Sequence, residues 1–170
     1  MANVSVNCRS FDDGMGLKVS LTVTESSYSV TGNYSTVFYS WTAIHTGKYF
    51  VGNSRPNGAN INIYIDGTCR QTRGVPLTNG ILDGNTVGNG SGSCTVYHNG
   101  DGQKIVPFQI KVGKGNGAAN GYEWGSDPYV YHGADSPVGN LALSYSPSVP
   151  SRGGGYETLL QDTDDSLLVI

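Results

Sequence analysis

The stretch Leu17-Lys18-Val19-Ser20-Leu21-Thr22-Val23-Thr24 decides the fold class. Apolar and polar residues alternate strictly along it, which is the pattern of a strand with one face buried and the other wet. After a turn predicted at Thr31-Gly32-Asn33 comes a second strand, residues 35–44, rich in β-branched and aromatic side chains and free of breakers. Val37, Tyr39 and Trp41 share one face of it. A third alternating unit, Ile61-Asn62-Ile63-Tyr64-Ile65, stops at Asp66-Gly67, a strong turn signal.

Further along, residues 80–92 read as a loop, with Asp83-Gly84 and Asn89-Gly90 as turns. Cys94-Thr95-Val96-Tyr97 then leads through His98-Asn99-Gly100-Asp101-Gly102 into a strand over residues 104–112, and the two strands are expected to form a hairpin. Val106, Phe108, Ile110 and Val112 fall on one face of that strand, and Pro107 suggests an edge or a bulge. The chain between Gly113 and Gly139 is irregular, and residues 141–145 read as the last strand of the core.

Composition agrees with this reading. The chain of 170 residues holds 25 Gly, 7 Pro and 11 Tyr, and only 14% of it is charged. An ordinary soluble domain is about 25% charged. Such a chain lacks the Lys, Glu, Arg and Ala that long amphipathic helices need on their outer faces. The expectation is an all-β, antiparallel β-sandwich, jelly-roll or immunoglobulin-like, with an extended C-terminal tail. Its domain occupies residues 1–146, followed by a Pro/Gly linker over 147–155 and an acidic, Leu-rich docking segment over 156–170.

The net charge is −3, yet residues 1–152 carry 10 basic and 9 acidic side chains, so the body is nearly neutral and the acidity is C-terminal. That balance excludes the electrostatic footprint of a general nucleic-acid binder. No apolar run is long enough to insert in a membrane. The N-terminus has neither the basic region nor the apolar stretch of a signal peptide, so a soluble cytoplasmic product is expected. Cys8, Cys69 and Cys94 match no zinc spacing; buried free thiols are expected, with a Cys69–Cys94 bridge as the alternative.

Candidate chemistry is sparse. His98 with Asp101, and Ser91 or Ser93 nearby, invites comparison with a Ser–His–Asp arrangement, but residues so close in sequence serve more readily to stabilise a turn. Asp12-Asp13 and the group Asp162, Asp164 and Asp165 offer hard oxygen ligands without the spacing of a calcium loop, and His45, His98 and His132 are isolated. No catalytic residue, metal or other cofactor is expected. Tyr122, Trp124, Tyr129 and Tyr131, flanked by Glu123 and Asp127, could stack on sugar rings, or could form a loop core or a subunit interface. At the C-terminus, Leu159, Leu160, Leu167, Leu168, Val169 and Ile170 are candidates for docking on the domain itself or on a neighbouring subunit.

Three segments in this order, residues 17–41, 61–68 and 94–110, carry a resemblance. They are an alternating strand leading into Glu-Ser-Ser-Tyr-Ser-Val, an Ile-Asp-Gly turn, and His-Asn-Gly-Asp-Gly before an apolar strand. Together they resemble the N-terminal β-sandwich module of a family of minor structural or tail-associated proteins from tailed bacteriophages, the siphophages of Gram-positive hosts. The resemblance implies a non-enzymatic virion component, made in the host bacterial cytoplasm and placed at the tail, tail tip, fibres or capsid surface. Its implied partners are other virion proteins and further copies of itself, with host surface glycan as the alternative. The shortness of this chain beside larger relatives favours a decoration, adaptor or connecting role.

Overall fold

A computed structural model describes residues 1–9, 14–51, 54–115 and 131–144. Nine strands lie within them: β1 (Ala2–Arg9), β2 (Met15–Ser29), β3 (Tyr34–Gly47), β4 (Arg55–Ile65), β5 (Thr68–Leu77), β6 (Thr86–Tyr97), β7 (Ile105–Lys114), β8 (Ala134–Asp135) and β9 (Gly139–Ala142). One sheet has the order β1-β2-β3-β6. The other has the order β5-β4-β7, with β8 and β9 both pairing β7. Every pairing is antiparallel, and the expected β-sandwich is what forms.

The core follows from alternation. Leu17, Val19, Leu21 and Val23 of β2 and Val37, Tyr39, Trp41 and Ala43 of β3 are buried from one sheet. Ala59, Ile61, Ile63 and Ile65 of β4 and Val106, Phe108, Ile110 and Val112 of β7 are buried from the other. The Asp66-Gly67 turn forms as read: both residues have positive φ, 51° and 73°, which is the backbone a two-residue hairpin turn between β4 and β5 requires.

Several expectations need correction. Residues 86–92 are not a loop but the first half of β6, and Asn89-Gly90 sits in mid-strand. The reason is cross-strand packing. Gly88, Gly90 and Gly92 lie opposite Ala43, Trp41 and Tyr39, and the two aromatic rings lie across the glycines. A Cβ at Gly90 would fall 2.6 Å from Trp41 Nε1, and one at Gly92 would fall 2.5 Å from Tyr39 OH. Only a residue without a side chain fits under those rings.

The predicted hairpin over 94–112 does not form either. β6 pairs β3 in one sheet and β7 pairs β4 in the other, so residues 98–102 arch from sheet to sheet. Nor is β7 an edge strand: β4 flanks it on one side and β8 and β9 on the other. Pro107 lies just past the end of the β4 ladder and faces Asn140 of β9, where its carbonyl accepts a 2.8 Å bond from the Asp66 amide. The last described strand runs Gly139–Ala142, starting two residues before the expected 141–145 and ending before Leu143, and Tyr145 lies outside the described residues. β1 and β5 were not foreseen. The linker and docking segment, 147–170, lie outside the described residues.

Candidate functional site

The inward-facing rows of β2 and β3, and the row leaving β6, each run one position past the apolar core and end in a polar residue. These residues, Glu25, Ser35 and His98, meet at one end of the sandwich. His98 is 7% exposed and Ser35 is 0% exposed. The His98 amide donates to Asn33 O at 2.9 Å, and its Nδ1 stands 3.0 Å from Gly102 O, which ties the ring to the inter-sheet arch. Its Nε2 lies 2.7 Å from Ser35 Oγ, and the Ser35 hydroxyl donates to Glu25 Oε1. The other Glu25 oxygen accepts the Ser144 amide at 2.9 Å and the Ser144 hydroxyl at 2.6 Å. The carboxylate therefore clips the chain that follows β9 onto β2.

Hydrogen counting defines what this group can do. A carbonyl only accepts, so His98 Nδ1 carries a proton and donates to Gly102. Ser35 has one proton for two neighbours. That proton goes to Glu25, so the Ser35 oxygen faces His98 Nε2 with its lone pairs. The hydroxyl stands between imidazole and carboxylate, whereas nucleophilic catalysis by serine places the imidazole in the middle and leaves the hydroxyl open to substrate. Ser35 is closed to solvent, so the chain of bonds is a structural relay joining β2, β3 and the arch. The serines weighed from the sequence, Ser91 and Ser93, are exposed on β6 and do not meet His98. Asp101 accepts the Gln103 amide at 3.0 Å and Asn99 bonds Gln103 and Gly102 through its backbone, so both shape the turn.

Burial pushes the Glu25 carboxyl up, but the Ser144 hydroxyl, the Ser35 hydroxyl, the Ser144 amide and the attraction of His98 pull it below its ordinary value. A carboxyl lowered on folding contributes stability that is complete above its unfolded pKa and is lost as pH falls through the folded one. Glu25→Gln is expected to cost about 1–2 kcal/mol at neutral pH. The variant should also lose this group's share of the acid-side decline, which denaturant unfolding at neutral and acid pH would measure.

Of the four aromatic residues weighed for glycan or interface contact, Tyr131 is described, and it is fully buried at 0% exposure. Its hydroxyl meets His45 Nδ1 at 2.6 Å, while His45 Nε2 donates to Lys48 O at 2.8 Å. Burial raises the Tyr131 hydroxyl well above its ordinary range. The Tyr131 amide also bonds Gly58 O at 3.0 Å, so this residue has the loop-core role and offers no ring face to a sugar. Tyr122, Trp124 and Tyr129 lie outside the described residues, as do Leu159, Leu160, Leu167, Leu168, Val169 and Ile170.

All three cysteines are free thiols, Cys8 buried, Cys94 half-buried and Cys69 exposed, so a buried thiol is found only at Cys8. Burial pushes the Cys8 thiol up to about 11. Among the described residues no group of three His, Cys, Asp or Glu gathers to hold a metal. Asp12, Asp13, Asp162, Asp164 and Asp165 lie outside those residues.

The outer face of the β1-β2-β3-β6 sheet is the feature that sequence reasoning missed. Two rows of short, uncharged polar side chains cross all four strands: Asn3, Thr22, Ser40 and Ser91, then Ser5, Ser20, Thr42 and Asn89. Elsewhere on this face lie Arg9 of β1, Lys18 of β2 and, on β3, Ile44 and the exposed Phe38. The signal was present in the sequence as Ser, Thr and Asn at every second position, but only the register aligns them. Compared with known proteins, the chain matches no family model, no curated protein and no solved structure.

Proposed function

We propose that this chain is a non-enzymatic structural subunit of a larger assembly, a virion component of a tailed bacteriophage of the kind its sequence resembles. The observation that supports the reading is the pair of hydroxyl- and amide-bearing rows that crosses the outer face of the four-stranded sheet. Covering such a face costs little. Ser and Thr lose less rotamer freedom than Lys or Glu, and there are few ions to desolvate. The scarcity of charge in the body of the chain has the same meaning, because subunit interfaces are depleted of charged residues at their centres. Electron microscopy of purified particles labelled with an antibody against this chain tests the proposal. Regular labelling of tail or capsid is expected, and particles that never bind the antibody while the chain stays in the soluble fraction would refute it.

A further inference from the structure

We propose that β6 is a self-association edge: two copies pair their β6 strands antiparallel about a two-fold axis, joining two four-stranded sheets into one. The inference rests on the assembly reading above and names the surface that assembly uses. Four observations lead to it. First, β6 is an edge strand of twelve residues, bonded to β3 on one side. Among the described residues no backbone group bonds its other side, so a row of amides and carbonyls points outward.

Second, nothing in its sequence blunts that edge. Thr86–Tyr97 contains no Lys, Arg, Asp, Glu or Pro. Folded proteins ordinarily protect a long edge with such residues. The edges of the second sheet are managed. β5 carries Arg70, Arg73 and Pro76, and β8 and β9 are two and four residues long. On β1 the carbonyl of Arg9 accepts the His132 amide at 2.9 Å.

Third, the inward side of β6 is already filled by Trp41 and Tyr39 lying over its glycines, and the one register irregularity falls at its start, between Thr86 and Gly88, so the strand pairs regularly from Gly88 to Tyr97. Fourth, the edge is self-complementary. With Ser91 on the two-fold axis, Asn89 of one copy falls opposite Ser93 of the second, short polar against short polar, and the Ser91 row of the outer face continues across the junction. An edge carrying charge would set like against like across the axis; this one does not. A two-fold contact of this kind closes on itself and gives a dimer rather than a fibre.

Sedimentation equilibrium of the full chain, combined with amide hydrogen exchange, tests the proposal. The wild type is expected to dimerise, with β6 amides protected in the dimer and released on dilution. Ser91→Lys with Ser93→Lys sets like charges opposite one another and should weaken dimerisation by about tenfold or more. Ser20→Lys with Thr22→Lys, on the same face but an interior strand, should leave it unchanged. Self-association that survives the β6 lysines and is broken by the β2 lysines would overturn the edge and leave the assembly reading standing, with the sheet face as the contact. A wild type that stays monomeric at every concentration overturns the edge whether its β6 amides are protected or not, since protection in a monomer means the chain covers its own edge. The exchange pattern of the wild type decides the matter even if the β6 lysine variant fails to fold.

Discussion

Trp41→Ala is expected to lower the free energy of unfolding by about 3–5 kcal/mol, the range for removing a large aromatic side chain from a packed core. Three losses coincide at this position. The indole is almost fully buried between the sheets. Its Nε1 donates a 2.8 Å hydrogen bond to Gln71 Oε1, which stitches β3 to β5 across the sandwich and would leave the amide without its partner. The ring also covers Gly90, so its removal strips away one of the two side chains, with Gln71, that lie over that glycine. Urea titration followed by far-ultraviolet circular dichroism would measure the change. A loss below about 1 kcal/mol would show that the ring is not a core member.

The second large effect is the reverse experiment. Gly90→Val places a Cβ 2.6 Å from Trp41 Nε1 and 2.8 Å from Gln71 Nε2, before its methyl groups are counted. Two effects compete. Replacing a strand glycine recovers roughly 0.5–1 kcal/mol of backbone entropy. Overpacking a filled site costs about 1–3 kcal/mol, so the variant is expected to be less stable. Ser93→Thr, three positions on but facing outward, is the control and should shift stability by no more than about 0.5 kcal/mol. Were 86–92 the loop that its glycines suggest, both substitutions would be equally silent.

That contrast shows what the sequence could reveal. Strict alternation exposed β2 and the apolar parts of β4 and β7, because a buried strand face leaves its period in the chain. The Gly-Asn-Gly-Ser-Gly run of β6 carries turn chemistry, and its strand character depends on Tyr39 and Trp41 fifty residues away in sequence. A period-two glycine row facing a period-two aromatic row was the available signal. β5 was invisible because most of it is exposed, with Val75 and Leu77 its buried apolar anchors. β1 was legible in Val4, Val6 and Cys8, whose alternation is as strict as that of β2 but shorter.

The arch at residues 98–102 has a different lesson. Asn-Gly-Asp-Gly reads as a hairpin turn, and that reading fails because turn chemistry does not say whether the next strand returns to the same sheet or crosses to the other. The site was less legible still. His98 was noticed, yet its partners come from Ser35 on β3 and Glu25 beside the irregularity in β2, and only the register of three strands brings them together. Asp101 and Ser93 are near His98 in sequence alone, and sequence distance counts for little once a chain has folded into two sheets.

Scarce charge, first a sign of strands rather than helices, has become a property of particular surfaces: two rows of hydroxyls and amides across an outer sheet face, and an edge strand with no charge at all. The claim that joins these is that the chain acts by being built into something larger. Counting copies of the chain in purified particles by quantitative mass spectrometry against a known virion protein tests it most directly. The account predicts a fixed multiple copy number that persists through density-gradient purification. A chain lost to trace, variable amounts on purification would contradict it.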